Sequence, residues 1–133
     1  MWQSSWRGEH PNHRGANMFT IDRSTCTLME SRNFDTWADS GNAVQLRDYI
    51  QGLSDGTVLV GISCDEASYH LDAAEATLNA LGAYVSYVGY HGAWAFVAEK
   101  GDPSKTILDK VPTAALALVR DPRVTASLQT GAF

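Results

Sequence analysis

No apolar run in the chain approaches the length of about 20 residues that a membrane-spanning helix requires. The first residues also lack the charged, apolar and small-residue succession of a secretory signal peptide. A spanning segment is therefore not expected, and a mature secreted chain fits equally well. Positive charge is in deficit: ten Lys and Arg face fifteen Asp and Glu, a formal charge of −5, and the basic residues are scattered. Phosphate backbones bind clustered positive charge, so a nucleic-acid partner is not expected. Cysteine is scarce. Cys26 and Cys64 form no CxxC motif, so by themselves they supply neither a zinc nor a redox site. A disulfide, two free thiols and a bond between subunits all fit that count. Internal repeats and low-complexity tracts are lacking too. What is present is a chain of 133 residues that is 44% hydrophobic. That suits a single core burying roughly two thirds of the unfolded surface.

Residues 1–13 hold Trp2 and Trp6 among Gly, Pro, Asn and Ser without a steady period, and read as an arm; residues 14–133 read as one domain. Residues 16–22 and 27–34 are β-like around the polar Arg23-Ser24-Thr25, which predicts a hairpin with Cys26 at its tip. Ala43, Leu46, Ile50 and Leu53 follow helical spacing, with Ser40 or Asn42 as N-cap and an end at Asp55-Gly56. Residues 57–62 form an unbroken apolar run, the pattern of a central strand buried on both faces. Leu71, Ala74, Leu78 and Leu81 predict a second helix, closed by Gly82 at the left-handed C′ position. Residues 83–88 and 94–98 predict two strands of a hairpin across Gly89-Tyr90-His91-Gly92. In the tail, residues 106–111 suggest a strand, residues 114–120 either helix or strand, and Pro103, Pro112 and Pro122 punctuate it. Strands and helices mix without a regular βαβ series, so the fold class is α/β or α+β, a sheet flanked by helices.

The order RGANMFTID, FDTW, DGTVLVGISCDEASYHL, LGAYVSYVGYHGAWAFVAEKG, over about residues 14–101, resembles the ILEI/PANDER-like domain (interleukin-like epithelial-mesenchymal transition inducer) family. Several motifs in order are more specific than any one alone. The resemblance implies two mainly antiparallel sheets with flanking helices, in an extracellular or lumenal setting. It covers cytokine-like proteins and modules of glycan-processing proteins, among them the sugar-binding stem module of the O-mannose N-acetylglucosaminyltransferase. In that sugar-binding version an acid and an arginine contact the glycan. Asp65 matches the acid and Trp94 the family tryptophan, while His91 replaces the arginine and Gly92 the acid after it. An imidazole offers at most two donors where the family has a guanidinium fork.

Each candidate carries two readings. Asp65 lies between a strand and a helix, where a carboxylate caps backbone N–H groups; it can equally accept hydrogen bonds from two adjacent sugar hydroxyls. Glu66 completes a capping box with Ser63, or joins the site. Trp94 alternates with Phe96 and suits core packing. Tyr90 and His91 sit on a turn, where an aromatic face can meet the C–H face of a sugar; Tyr69 and His70 are weaker candidates. Asp65, Glu66 and His70, or His10 and His13, lack zinc or EF-hand spacing. No cofactor is therefore expected, with a weak calcium site left open. Adjacent acids do not suit a glycosidase pair, and no nucleophile elbow, P-loop or Cys-His signature appears, so an enzyme is not expected. Cys26 is expected to be exposed and able to link subunits, Cys64 to be buried. Trp2 and Trp6 either dock on a neighbouring subunit or serve recognition. The sequence thus points to a secreted, non-enzymatic, lectin-like carbohydrate-binding domain using Asp65, Glu66, Tyr90, His91 and Trp94, with homodimerisation adding avidity. The alternative is a cytokine-like ligand of a protein receptor.

Overall fold

The computed structural model describes residues 9, 11–86 and 88–113. Trp2, Trp6, His10, residues 114–120 and Pro122 lie outside the described residues. Among the described residues, five strands, β1 (Gly15–Asp22), β2 (Thr27–Phe34), β3 (Val58–Cys64), β4 (Ala93–Glu99) and β5 (Asp102–Val111), and two helices, α1 (Ser40–Gln51) and α2 (Asp72–Ala80), make an α+β fold. The described strands form one antiparallel sheet in the order β2-β1-β3-β4-β5, not the two sheets that the family resemblance implies.

The first hairpin forms as its sequence predicts. Asp22 Oδ1 accepts the Ser24 and Thr25 N–H groups at 2.9 and 3.2 Å, an Asx-type turn. The bonds from Ser24 hold the Asp22 carboxyl below its ordinary value. Cys26 stands at the tip with φ 57°. Strand β3 is central as predicted, yet it is buried on one face only: Leu59 is fully buried while Ile62 is 42% exposed. Both helices pack on the Leu59 side, where Met18, Leu46, Ile50, Leu78 and Phe96 complete the core. The unbroken apolar run reflects β propensity as much as two-sided burial.

Gly61 is required at the centre of this sheet. It pairs with Phe96, whose ring lies over it, so that a Cβ on Gly61 would stand 2.3 Å from a ring carbon. Gly61→Ala should displace that ring and lower stability by about 1–3 kcal/mol, as overpacking does, and urea denaturation would measure it. An unchanged midpoint would show that the ring moves freely.

Three expectations are corrected by the backbone. The N-cap of α1 is Asp39, whose Oδ1 accepts the Gly41 N–H at 2.8 Å, and the helix closes at Gly52. Helix α2 begins at Asp72, seven residues beyond Asp65, with no side-chain cap, so neither Asp65 nor a Ser63–Glu66 box caps it. Its other end is as predicted. Gly82 has φ +83°, and the Gly82 and Ala83 N–H groups bond Asn79 O and Leu78 O at 2.9 and 3.0 Å, a Schellman closure. The described residues of the strand expected over 83–88, 83–86 and 88, are not in a strand. Ala83, Val85 and Val88 are buried as an apolar cover, but both edges of β4 are already taken by β3 and β5, so no ladder is left for them. Pro103 falls in β5, an edge strand where a missing donor is tolerated.

Arg32 is a buried cation among aromatic rings. Its guanidinium lies 4.7 Å from the Tyr49 ring centroid and 5.6 Å from that of Phe34, within cation–π range. Burial pushes its pKa down and pushes the Tyr49 hydroxyl up.

Candidate functional site

Antiparallel pairing gathers the start of β1, the end of β2, the end of β3 and the start of β4 at one end of the sheet. Gly15 lies opposite Cys64 of β3, and its neighbour Ala16 lies opposite Phe34 of β2. Residues 14, 35–37, 65–70 and 90–91 thereby become neighbours, although the chain separates them widely.

The RG-x-N and FDTW motifs form a bracket at this end. Arg14 Nε and Nη2 donate to the two carboxyl oxygens of Asp35 at 3.0 and 2.8 Å, a bidentate pair. That bond to Asp35, against some desolvation and with added fields from Asp35, Asp65 and Tyr90, holds the guanidinium pKa above its ordinary value. Asn33 Nδ2 donates to the Arg14 carbonyl at 2.9 Å and to Asn17 Oδ1 at 3.0 Å, and Asn17 Nδ2 donates to the His13 carbonyl at 2.8 Å. Gly15 is indispensable, since a Cβ there would meet the Phe34 carbonyl at 2.2 Å.

The acid pair divides its labour. Asp65, in the left-handed region at φ 60°, is exposed and its Oδ1 lies 3.2 Å from His91 Nε2. Glu66 is only 1% exposed. Its Oε1 accepts the Ser68 N–H at 3.1 Å, the Ser68 hydroxyl at 2.8 Å and the His91 backbone N–H at 3.2 Å. Glu66 thus ties the Tyr90–His91 turn to the loop after β3 from below, and Asp65 faces solvent above it. Ser63 serves a third purpose, accepting the Trp94 N–H through Oγ at 2.9 Å.

Of the predicted site residues, Asp65, Tyr90 and His91 lie together at the surface, with the Tyr90 and His91 rings stacked at 3.9 Å. Trp94 is 3% exposed and stacks on Phe96 in the core. Two further aromatics complete the rim. Trp37 lies 6.2 Å from Tyr90 and 5.0 Å from Tyr69, and the Arg14 guanidinium stands 6.0 Å from the Trp37 ring. His70 Nδ1 is 3.2 Å from the Thr36 carbonyl, a hydrogen bond in the Nδ1–H tautomer that clamps the Tyr69 loop to the Trp37 loop. Asp65, His70 and His91 all have φ near +60°. Such strain is characteristic of sites that must hold a set geometry.

Trp37 and Arg14, which lie beside these residues, were not singled out from the sequence. The signal was the Trp of FDTW, a large aromatic in a polar loop. Among the described residues, no group of three or more His, Cys, Asp or Glu converges as a metal site; Asp65, Glu66 and His70 each face a different partner. No described helix is long and apolar enough to cross a membrane.

Both cysteines are exposed free thiols, which corrects the buried placement expected for Cys64. Cys64 pairs with Gly15 at one end of β1, and Cys26 follows the other end. Eight residues at about 3.3 Å each put the two on the order of 25 Å apart, far beyond the roughly 7 Å that a disulfide tolerates between Cα atoms. A bridge within one chain is excluded.

The described strands thus form an antiparallel sheet with two helices on one face, and the RG-x-N and FDTW bracket stands beside the DE turn at one end of it. The family model of the interleukin-like EMT inducer matches residues 14–102, and the chain belongs to that family. It is 30% identical over 112 residues to the cell migration-inducing and hyaluronan-binding proteins of Mus musculus and Homo sapiens, covering 83% of this chain and 8% of each of those. It is likewise 30% identical over 95 residues to protein FAM3C of Bos taurus, covering 70% of this chain and 41% of that protein. The chain therefore spans a small fraction of the length of the hyaluronan-binding relatives and under half of FAM3C.

Proposed function

We propose that this chain is a secreted, non-enzymatic, lectin-like domain that binds a sugar at Asp65 and His91, with Tyr90 beside them. The observation that carries the reading is the exposed Asp65 carboxylate, 3.2 Å from His91 Nε2, next to the exposed Tyr90 ring. A carboxylate accepts strong hydrogen bonds from adjacent hydroxyls, and an aromatic ring covers the apolar C–H face of a pyranose. Since α2 starts beyond Asp65, the carboxylate has no capping duty that would explain its placement. Two relatives named as hyaluronan-binding support a carbohydrate ligand, though the assignment rests on the site. No cofactor is invoked, and a chelator tests for calcium.

Asp65→Asn should leave the melting transition in place, because the side chain is exposed, and should weaken binding to any glycan-array hit about tenfold or more. A blank array from folded protein sinks the reading. The second reading, a cytokine-like ligand of a protein receptor, is favoured by the family's interleukin-like description. It predicts a blank array and a broad protein interface in which Asp65→Asn matters little.

A further inference from the structure

The aromatic surface extends well past the acid. Tyr90 is 54% exposed, Trp37 37% and Tyr69 49%, and from His91 the rings follow one another in the order Tyr90, Trp37, Tyr69. The steps between ring centroids, 6.2 Å from Tyr90 to Trp37 and 5.0 Å from Trp37 to Tyr69, are each comparable to the width of a pyranose ring. One sugar held at Asp65 and His91 would reach Tyr90 and leave Trp37 and Tyr69 uncovered. We propose that Trp37 and Tyr69 form a second subsite, which takes the neighbouring ring of an oligosaccharide whose first ring is held at Asp65 and His91.

This inference rests on the carbohydrate reading and specifies its ligand as a chain of at least two sugars. Three features make the second subsite a prepared surface rather than a chance exposure of apolar rings. The Trp37 loop is anchored by the Arg14–Asp35 pair, and Asp35 Oδ1 also accepts the Ala38 N–H at 3.3 Å. The Tyr69 loop is clamped to it through His70 Nδ1 and the Thr36 carbonyl, 3.2 Å apart. Arg14, over the Trp37 ring at 6.0 Å, has both Asp35-facing N–H groups engaged and retains others for a hydroxyl of the second sugar. The rings are therefore held before a ligand arrives, and affinity gained from them is not offset by ordering the loops. Ring faces recognise C–H surfaces of many sugars, so this subsite would add affinity and length selectivity more than it would add identity.

The test is a solid-phase and calorimetric comparison of wild type, Trp37→Ala, Trp37→Phe and Tyr69→Ala. The ligands are N-acetylglucosamine, mannose and galactose series of one to four rings, with hyaluronan di- and tetrasaccharides. Wild type should gain about tenfold or more in affinity from one ring to two within the series it recognises. Trp37→Ala should reduce the dimer to the affinity of the single sugar, Trp37→Phe should keep most of the gain, and Tyr69→Ala should lose part of it. Binding of the single sugar should be unchanged in all three variants. Equal affinity for one ring and two, with Trp37→Ala indistinguishable from wild type, would overturn the second subsite and leave the Asp65 site standing. Failure of folded wild type to bind any of these sugars, with a blank wider array, would overturn both.

Discussion

Glu66→Ala should cost about 3–4 kcal/mol of stability and, with it, the binding site. The Glu66 carboxyl is buried and satisfies the Ser68 N–H, the Ser68 hydroxyl and the His91 N–H. Truncation leaves two backbone donors without their acceptor, each costing about 1–3 kcal/mol when buried, and opens a cavity that the surroundings refill only in part. The turn carrying Tyr90 and His91 is released at the same moment, so His91 no longer meets Asp65. Glu66→Gln retains the shape and one acceptor, and should cost about 1–2 kcal/mol with weaker loss of binding. Urea denaturation gives the first quantity and glycan titration the second. If Glu66→Ala unfolds at the wild-type midpoint, the carboxyl is not the tie between these loops.

Lys100→Met should be of similar size for a different reason. The Lys100 ammonium donates to the carbonyls of Ile50, Gln51 and Leu53 at 3.0, 3.3 and 2.9 Å. Ile50 and Gln51 are the last residues of α1 and Leu53 follows its Gly52 cap; carbonyls at a helix end lack the regular intrahelical partner, and a cation there also complements the negative end of the helix dipole. Hydrogen bonds from a charged donor are worth about 1.5–3 kcal/mol. Because the three share one ammonium, about 3 kcal/mol for the whole cap is the expected loss. Methionine preserves the aliphatic stem, so the loss reports the ammonium rather than packing. Hydrogen exchange should speed up in the last turn of α1 before the sheet is affected; uniform protection would count against the capping role. Lys100 lies at the opposite end of β4 from His91, so sugar binding by folded Lys100→Met should be normal.

These two residues illustrate how legible the molecule was. Glu66 was readable as part of an acid pair with Asp65, and residues 89–92 as a turn, but the side to which the Glu66 carboxyl points was not. A carboxyl in a loop can face either way, and the choice depended on where the His91 backbone came to rest. Lys100 belonged to a KG motif with no visible partner, because its three acceptors lie about fifty residues earlier in the chain. The strand expected over residues 83–88 failed similarly. Its buried Ala83, Val85 and Val88 are real, but burial and pairing are separate properties, and periodicity reports only the first.

Local chemistry determined the elements whose causes lie within a few residues. The hairpin turn follows from Asp22 and the three bonds it accepts from Ser24 and Thr25, the end of α2 from Gly82 in the left-handed region, and the apolar stripe of Leu71, Ala74, Leu78 and Leu81 from helical spacing. The order of motifs was enough for the family as well. Tertiary structure alone decided that the described strands share one sheet, that β3 has one open face, and that Cys26 and Cys64 stand at opposite ends of a strand. It also decided that Trp37 from one loop joins Tyr69 and Tyr90 from two others. Each of these is a contact between segments distant in sequence, set by antiparallel register and by which side the helices cover. A local pattern carries no record of either.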